Sequence, residues 1–309
     1  MGVLYIVSIE EAAGKTALCA GIAINLLNQG KTVGYLRPQT AGKSPEGDAA
    51  FMKRVLRLED SVNAPDVVKG RDIVIVESTL GPTVTDAKNI IGAAREMRAA
   101  VITVESYAGD ESKNLDIYKW FGDNLLGAVL NKVPVSRLKS VKEKASAQFS
   151  AAGIKLLGVM PENRVLMAIS VGELAEIVKG KIINYPEKSG ELVENYMLGA
   201  MVVGSGADYF KRKSNKAAII HQDRPDMQLA ALETSLKCLV LSGSSAGPIY
   251  NVMHKASGRG VPIITTDAGT ADIVFGIEEA LSGARIRQEK KLSGLGDFIK
   301  QNLDMKAVA

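Results

Sequence analysis

The sequence predicts an α/β protein in which helices alternate with the strands of mostly parallel sheets. Short apolar runs and longer helical stretches follow one another along the chain, which indicates crossover connections between parallel strands. Residues 73–77 form an apolar run ending in a carboxylate, as is typical of a strand buried on both faces. Residues 180–190 show no sustained period, and the alternation restarts beyond them. We therefore expect two domains, one over residues 1–185 and a smaller one over residues 190–305.

Length and composition are those of an ordinary globular protein. A chain of 309 residues suits two domains, and 46% hydrophobic with 23% charged residues is typical of a soluble protein. The net charge of +4 is small for this length, so we expect no nucleic-acid surface. No uninterrupted apolar stretch is long enough to span a bilayer, so we expect no membrane partner and a cytoplasmic location. Cys19 and Cys238 are far apart, and we expect both to be buried thiols in a reducing compartment.

The first predicted strand and the turn after it carry the clearest functional signal. Residues 3–7 are apolar, and Gly14-Lys15-Thr16 then opens a helical run that reaches about Gln29. Strand, loop and helix in this order are the context of a phosphate-binding loop, where backbone amides and the helix dipole face a phosphate. We expect Lys15 to neutralise the outer phosphates of ATP and the Thr16 hydroxyl to contact Mg²⁺.

The loop departs from the usual pattern in two ways. Ile9 stands five residues before Gly14, where a glycine is usual, and Ser8 is the nearest small residue, which suggests one extra residue in the loop. Glu10 and Glu11 lie where a phosphate would come close, which is unfavourable unless they point outward or bind substrate or metal. The alternative is that the Gly-Lys-Thr tripeptide only starts a helix after a turn.

Several polar residues fall at or just past the carboxyl ends of predicted strands, where ligands bind to parallel sheets. They are Ser8, Arg37, Glu77 and Asn131. Arg37 is able to make a bidentate contact to a carboxylate or phosphate, or it is a surface arginine. Asn131 is placed to read a nucleotide base through its amide.

Oxygen ligands for Mg²⁺ are available by position in Thr16, Asp48 and Glu77, and Mg²⁺ takes few protein ligands. Asp48 has an alternative role as a helix N-cap, and Glu77 as the solvated end of a strand. No serine–histidine–acid or cysteine–histidine pattern is visible, so the sequence does not point to covalent acyl chemistry.

Six segments follow one another as in the dethiobiotin synthetase family, which the chain resembles over residues 1–185. They are Ser8–Thr16, Tyr35–Gly42, Asp48, Val76–Gly81, Gly127–Val133 and Leu157–Asn163. The ATP domain of cobyrinic acid a,c-diamide synthases and the N-terminal domain of long bacterial phosphotransacetylases are similar. The resemblance implies that Lys15 contacts phosphate, that Thr16, Asp48 and Glu77 hold Mg²⁺, and that Asn131 lies by the base. The expected nucleotide-binding residues are Ala12, Ala13, Gly14, Lys15, Thr16, Ala17 and Asn131, and the expected catalytic residues are Lys15 and Arg37.

Residues 196–302 resemble the DRTGG domain. The resemblance rests on Gly204, on the segments 223–232 and 239–243, and on 262–267. DRTGG domains are regulatory and dimer-forming modules, so it implies a homodimer. Within the domain, Asp223 and Arg224 either form an intradomain salt bridge or belong to a ligand site.

Three functions fit these features. The first is an Mg-ATP-binding P-loop protein with a regulatory DRTGG domain, acting as a sensor or slow ATPase. The second is an ATP-dependent ligase of the dethiobiotin or diamide type that activates a carboxylate or carbamate. The third is a degenerate module that binds a nucleotide or a partner without hydrolysis. The small-molecule substrate or effector is open in all three.

Overall fold

The computed structural model describes residues 2–38, 46–56, 70–80, 84–109, 112, 114–201, 204, 206–282, 286 and 288–308. The chain folds into two compact units, Met1–Asn163 with Ile286–Ala309, and Arg164–Arg285. Each unit combines a mostly parallel sheet with helices, which confirms the predicted α/β class.

The first unit is built on a six-stranded parallel sheet. Its strands β1 to β6 are Gly2–Ser8, Val33–Leu36, Ile73–Thr79, Ala100–Ser106, Leu125–Val133 and Leu156–Pro161. They lie in the order β2-β3-β1-β4-β5-β6. The helices between them are α1 (Lys15–Asn28), α2 (Glu46–Leu56), α3 (Val84–Glu96), α4 (Leu115–Lys119) and α5 (Leu138–Ala151). Two C-terminal helices, α12 (Leu295–Asn302) and α13 (Met305–Val308), also belong to this unit. The six helices between α5 and α12 belong to the second unit.

The apolar character of β1 and β3 places them in the middle of the sheet. On one face, Tyr5 and Val7 pack with Val74 and Val76 and with Ile91 of α3. Side chains alternate along a strand, so the next residues point to the opposite face. Since β1 lies between β3 and β4, the loop that follows Ser8 begins at the centre of the carboxyl edge.

The second unit contains a five-stranded sheet in the order β10-β11-β12-β13-β8. Strands β7 to β13 are Ile169–Ser170, Lys181–Ile182, Leu192–Val193, Asn195–Leu198, Lys216–His221, Cys238–Ser242 and Ile263–Thr265. Helices α6 to α11 are Arg164–Met167, Val171–Ile177, Gly206–Phe210, Pro225–Leu232, Tyr250–Arg259 and Thr270–Ser282. β10 to β13 are parallel, β8 is antiparallel to β13, and β7 and β9 form a separate antiparallel pair.

The units divide about twenty residues before the expected boundary at 185–190. Strand β8 hydrogen-bonds to β13, and Leu174 of α7 shares a core with Val240 and Ile264. Residues 164–185 therefore belong to the second unit. Helix α7 follows the same αβ rhythm as the helices before it, so its sequence does not show which sheet it packs on.

The C-terminal segment is a second difference, because residues 286–305 return to the first unit instead of completing the second. Helix α12 packs on α1, where Asn25 Nδ2 donates to Gly296 O at 2.8 Å. The segment also meets the edge strand β6, since the Asp304 amide donates to Leu157 O at 2.8 Å. The second unit is therefore inserted between two parts of the first.

One predicted strand is misplaced. The sequence suggests a strand at residues 201–203, whereas the edge strand of the second sheet is β10, which pairs with β11 from Asn195 to Leu198. Met201 lies outside any strand, and residues 202 and 203 are outside the described ones. Cys19 and Cys238 are both buried free thiols, as the sequence predicts. Across the described residues, no helix has both the length and the apolar character needed to cross a bilayer.

Candidate functional site

The conformation of the loop between β1 and α1 depends on Gly14. Gly14 has a φ of +91°, a left-handed conformation that L side chains rarely adopt. A Cβ at this position would lie 2.3 Å from Asn131 Nδ2. The amides of the first helical turn, beginning at Lys15, have no intrahelical partner and are left to face an anion.

Lys15 lies inside this loop, with 3% of its surface exposed. Its Nζ donates to Ser8 Oγ at 2.5 Å and to the carbonyl oxygens of Glu10 and Glu11, both at 3.1 Å. Burial lowers the pKa of Lys15, while the nearby Glu77 carboxylate acts to raise it. The ammonium group is therefore bonded to neutral oxygens. In a complex with phosphate, charged phosphate oxygens would take the place of these partners.

Glu77, in the carboxyl-terminal part of β3, has 1% of its surface exposed. Its Oε1 accepts from Thr16 Oγ1 at 2.8 Å, and its Oε2 accepts from the Tyr35 hydroxyl at 2.6 Å. Arg37 NH1 lies 3.6 Å from Oε1. Tyr35 is opposite Ile75 in the β2–β3 register, so Glu77, two residues further along β3, lies on the same face. The structure thus brings together Thr16, Arg37 and Glu77 and adds Tyr35, which the sequence reasoning missed.

The two glutamates of the loop have different surroundings. The Glu10 carboxylate accepts from the backbone amide of Ser106, at the end of β4, at 2.5 Å. The side chain of Glu11 is exposed. The Glu10 carboxylate is therefore held by a β4 amide, and this contact could not be predicted because Ser106 is distant along the chain.

Asn131 supports the loop from the side of β5. Its Nδ2 donates to the Ala13 carbonyl at 2.8 Å, and its Oδ1 accepts from the Lys132 amide at 2.9 Å. Ala13 itself is buried, Ala12 is exposed and Ala17 is half-buried. The structure shows the Asn131 amide engaged with the loop, and its role beside a base stays a prediction.

The donor set of this site fits Mg²⁺ beside a nucleotide. Thr16 and Glu77 offer a hydroxyl and a carboxylate oxygen, which are the hard ligands that Mg²⁺ prefers. Asp48 lies in α2, which begins earlier, at Glu46, and the Asp48 side chain is outside the described residues. Within the described part, no group of three or more His, Cys, Asp or Glu is arranged to hold a metal. A metal ion that is bound by one hydroxyl, one carboxylate, water and phosphate oxygens does not require such a group.

A cavity of about 1100 Å³ lies beside the loop and shares Glu10 with it. Its apolar lining comes from β4, β5 and α5 and includes Val104, Leu130, Val141 and Phe149. Its polar lining includes Glu105, whose Oε2 accepts from Ser112 Oγ at 2.6 Å and from the Tyr118 hydroxyl at 3.1 Å. Arg137, which immediately precedes α5, and Lys144 of α5 add positive charge to the same cavity. The size and the mixed lining suit a small molecule.

In the second unit, Asp223 and Arg224 have separate partners. Arg224 donates from Nε and NH2 to the Asp226 carboxylate and from NH2 to Met201 O at 3.0 Å. Asp223 Oδ2 lies 3.6 Å from His221 Nδ1. Arg224 therefore forms a salt bridge inside the unit, as one of the two alternatives predicts. Its carboxylate partner is Asp226 and not Asp223.

Solved structures of similar proteins include three at low identity. The CBS and DRTGG domains of the regulatory region of Clostridium perfringens pyrophosphatase, complexed with the activator diadenosine tetraphosphate, align at 16% identity and a TM-score of 0.34, covering 52% of this chain and 76% of theirs. The MinC:MinD cell division complex of Aquifex aeolicus aligns at 16% identity and a TM-score of 0.37, covering 54% and 83%. MinD of Aquifex aeolicus alone aligns at 14% and 0.30, covering 54% and 84%.

Two protein families match the sequence, each over a part of it. Residues 3–74 match a family described as an AAA domain, and this range contains the loop, Lys15 and Thr16. Residues 173–280 match the DRTGG domain, and this range lies within the second unit. The chain therefore carries a P-loop-like AAA domain in its N-terminal part, followed by a DRTGG domain.

Proposed function

We propose that the first unit binds ATP with Mg²⁺ and that the DRTGG domain regulates this site, so that the protein acts as a sensor or slow ATPase. The observation that carries the proposal is the 2.8 Å hydrogen bond between Thr16 Oγ1 and Glu77 Oε1. It joins the hydroxyl of the loop to a carboxylate of another strand, beside the buried Lys15. A loop hydroxyl, a carboxylate and a lysine are the groups that a P-loop site uses.

Each group has a distinct task in this proposal. The amides of the first turn of α1 bind phosphate oxygens, and Lys15 exchanges its neutral partners for them. Thr16 and Glu77 hold the metal ion or its water shell. Bound Mg²⁺ neutralises charge on the outer phosphates. Arg37 lies 3.6 Å from the Glu77 carboxylate and adds a second positive charge to the site.

The hydrogen bonds of Lys15 favour modest affinity for a phosphate. Its Nζ already has three oxygen partners, and all must be exchanged when a phosphate enters. A hydrogen bond to a charged group is worth roughly 1.5–3 kcal/mol, so the bonds lost offset much of what the phosphate supplies. A sensor that releases its nucleotide readily is consistent with this exchange.

A second candidate function is favoured by the cavity beside the loop. A ligase needs a place for a carboxylate or carbamate next to the nucleotide, and the cavity shares Glu10 with the phosphate loop. In this alternative the cavity holds the second substrate, while the loop holds ATP. Arg37, Arg137 and Lys144 are the cations available to a carboxylate.

We further propose that the protein is a cytoplasmic homodimer that associates through its DRTGG domain. Ile249 and Tyr250 are neighbours at the start of α10, and their side chains are 51% and 78% exposed. Exposed apolar surface often marks an interface. Light scattering on the full chain is expected to give the mass of a dimer, and a monomer at micromolar concentration would argue against the proposal.

Isothermal calorimetry tests the nucleotide site. We expect ATP to bind in the presence of Mg²⁺ and Lys15→Ala to weaken binding by about tenfold or more, because a charged hydrogen-bond donor is lost. Lys119→Ala is the matched control, since Lys119 is a surface lysine paired with Asp116. Equal affinity in wild type and Lys15→Ala would refute the nucleotide proposal.

Turnover measurements separate the three hypotheses. A slow ATPase releases ADP from ATP alone, whereas a ligase releases ADP faster when a carboxylate substrate is added. A degenerate module binds ATP and releases no ADP under either condition. For the ligase, Arg37→Ala is expected to abolish the substrate-dependent part.

A further inference from the structure

We infer that Arg37 is the counter-ion of Glu77, that it would compete with a bound Mg²⁺ for this carboxylate, and that Tyr35 is the positioning residue that keeps the carboxylate in place. The inference deepens the proposed Mg²⁺-nucleotide function and rests on it. It assigns to Arg37 a role on the metal ligand, whereas the sequence suggested only a contact to substrate or phosphate.

The two oxygens of Glu77 have different partners. Oε1 accepts from Thr16 Oγ1 at 2.8 Å and lies 3.6 Å from Arg37 NH1. Oε2 accepts from the Tyr35 hydroxyl at 2.6 Å. Because the Thr16 hydroxyl is the loop's metal ligand, Oε1 is the oxygen on the metal side. Arg37 is therefore the cation that stands where the metal's charge would act.

Burial explains why Glu77 needs a cation beside it. With 1% exposure, its carboxylate would be costly to leave unpaired, because little water reaches it. Lys15 also acts on this charge, but its Nζ is buried and bonded to three oxygens of the loop. Arg37 has 20% of its side chain exposed, so it is the cation that can withdraw toward solvent.

Tyr35 holds the other side of the carboxylate. It is fully buried, and its hydroxyl is a short hydrogen-bond donor to Oε2. The Tyr35 hydroxyl is the donor in this bond, because an ionised carboxylate can only accept. Hydrogen bonds to a ligating carboxylate orient it, and their loss typically weakens metal binding by roughly 10–100-fold.

Mn²⁺ binding, followed by electron paramagnetic resonance without nucleotide, tests this assignment. Tyr35→Phe keeps the buried ring and is expected to weaken Mn²⁺ binding about tenfold, because the orienting hydrogen bond is lost. Arg37→Gln is expected to tighten Mn²⁺ binding about tenfold, because the competing cation is gone. Arg37→Lys keeps the charge and is expected to stay near wild type.

Controls separate these effects from general damage. Tyr118→Phe removes the same kind of contact from a different carboxylate, Glu105, and is expected to leave Mn²⁺ affinity unchanged. Arg95→Gln is the surface control for the arginine, since Arg95 donates a hydrogen bond at the surface to the backbone oxygen of Trp120, 3.0 Å away. Weaker or unchanged Mn²⁺ binding in the Arg37→Gln variant would overturn the inference.

ATP binding gives a second readout of the same variants. We expect Arg37→Gln to raise the ratio of the Kd in EDTA to the Kd in Mg²⁺ about tenfold, because Glu77 then repels metal-free ATP. An arginine that contacts phosphate alone would raise both constants and leave the ratio unchanged, which would contradict the inference. If wild type binds no ATP, the proposed function fails, while the Mn²⁺ measurement still decides the role of Arg37.

Discussion

The packing of α12 on α1 yields a prediction about which part of the chain completes the first unit. A Cβ at Gly21 would lie 2.1 Å from Ile299 Cγ1, so the two helices cross where only a glycine fits. The perturbations are Gly21→Ala and Ile299→Ala, alone and together. Ile299 is 1% exposed, so its truncation removes a fully buried side chain.

The structure gives the sign and size of each effect. Ile299→Ala should lower the free energy of unfolding by about 2–5 kcal/mol, the usual range for a buried isoleucine. Gly21→Ala gains about 1 kcal/mol of helix propensity but loses about 1–3 kcal/mol through overpacking. In the double variant, the new methyl group occupies space that Ile299 has left. The double variant should therefore be more stable than the sum of the single effects predicts, by about 1–3 kcal/mol.

Urea denaturation followed by the fluorescence of Trp120 measures this interaction. Trp120 is the chain's single tryptophan and lies in the first unit, so its signal reports on that unit. Effects that add within about 0.5 kcal/mol would refute the packing, because non-interacting sites behave in that way.

Three further predictions test other features. Gly14→Ala should abolish ATP binding while the protein stays folded by circular dichroism, because the added Cβ meets the Asn131 amide and the backbone conformation is left-handed; retained affinity would contradict the described loop. Cys19 and Cys238 should resist thiol reagents until urea unfolds the chain, since burial raises the pKa of both thiols, to about 12 for Cys238; rapid modification of the native protein would show that they are accessible. A chain truncated after residue 285 should lose stability in the Trp120 transition, because α12 is removed from α1; an unchanged midpoint would argue against this packing.

The parts of the site that follow local rules could be predicted from the sequence. The position of the loop could be predicted from an apolar strand that is followed by Gly14-Lys15-Thr16 and a helix. Neighbouring residues determine both the turn and the start of the helix. Glu77 could be anticipated as well, since the carboxylate at the end of a buried strand must reach the carboxyl edge of the sheet.

Contacts that depend on strand order could not be predicted in this way. Tyr35 reads as one more apolar strand residue, and its contact with Glu77 becomes visible only when β2 is known to pair with β3. The same holds for Glu10 and Ser106, which meet because β4 lies beside β1.

The domain boundaries were missed for a related reason. The pattern of apolar residues predicts where a helix begins and which of its faces is apolar. It does not predict which sheet packs against that face. Helix α12 has a buried face that includes Leu295 and Ile299 and would suit either unit. Its partner is set by the close fit of Gly296 against α1, a contact between residues that are far apart in the chain.

A crystal structure of the chain grown with ATP and Mg²⁺ is the most direct test of the nucleotide site. We expect the phosphates on the amides that follow Gly14, with Lys15 Nζ moved from the loop carbonyls to phosphate oxygens. The metal ion should contact Thr16 Oγ1 and lie on the Oε1 side of Glu77, with Arg37 displaced from that oxygen. A nucleotide bound elsewhere, or Lys15 still bonded to Ser8, Glu10 and Glu11 with ATP at saturating concentration, would contradict the account.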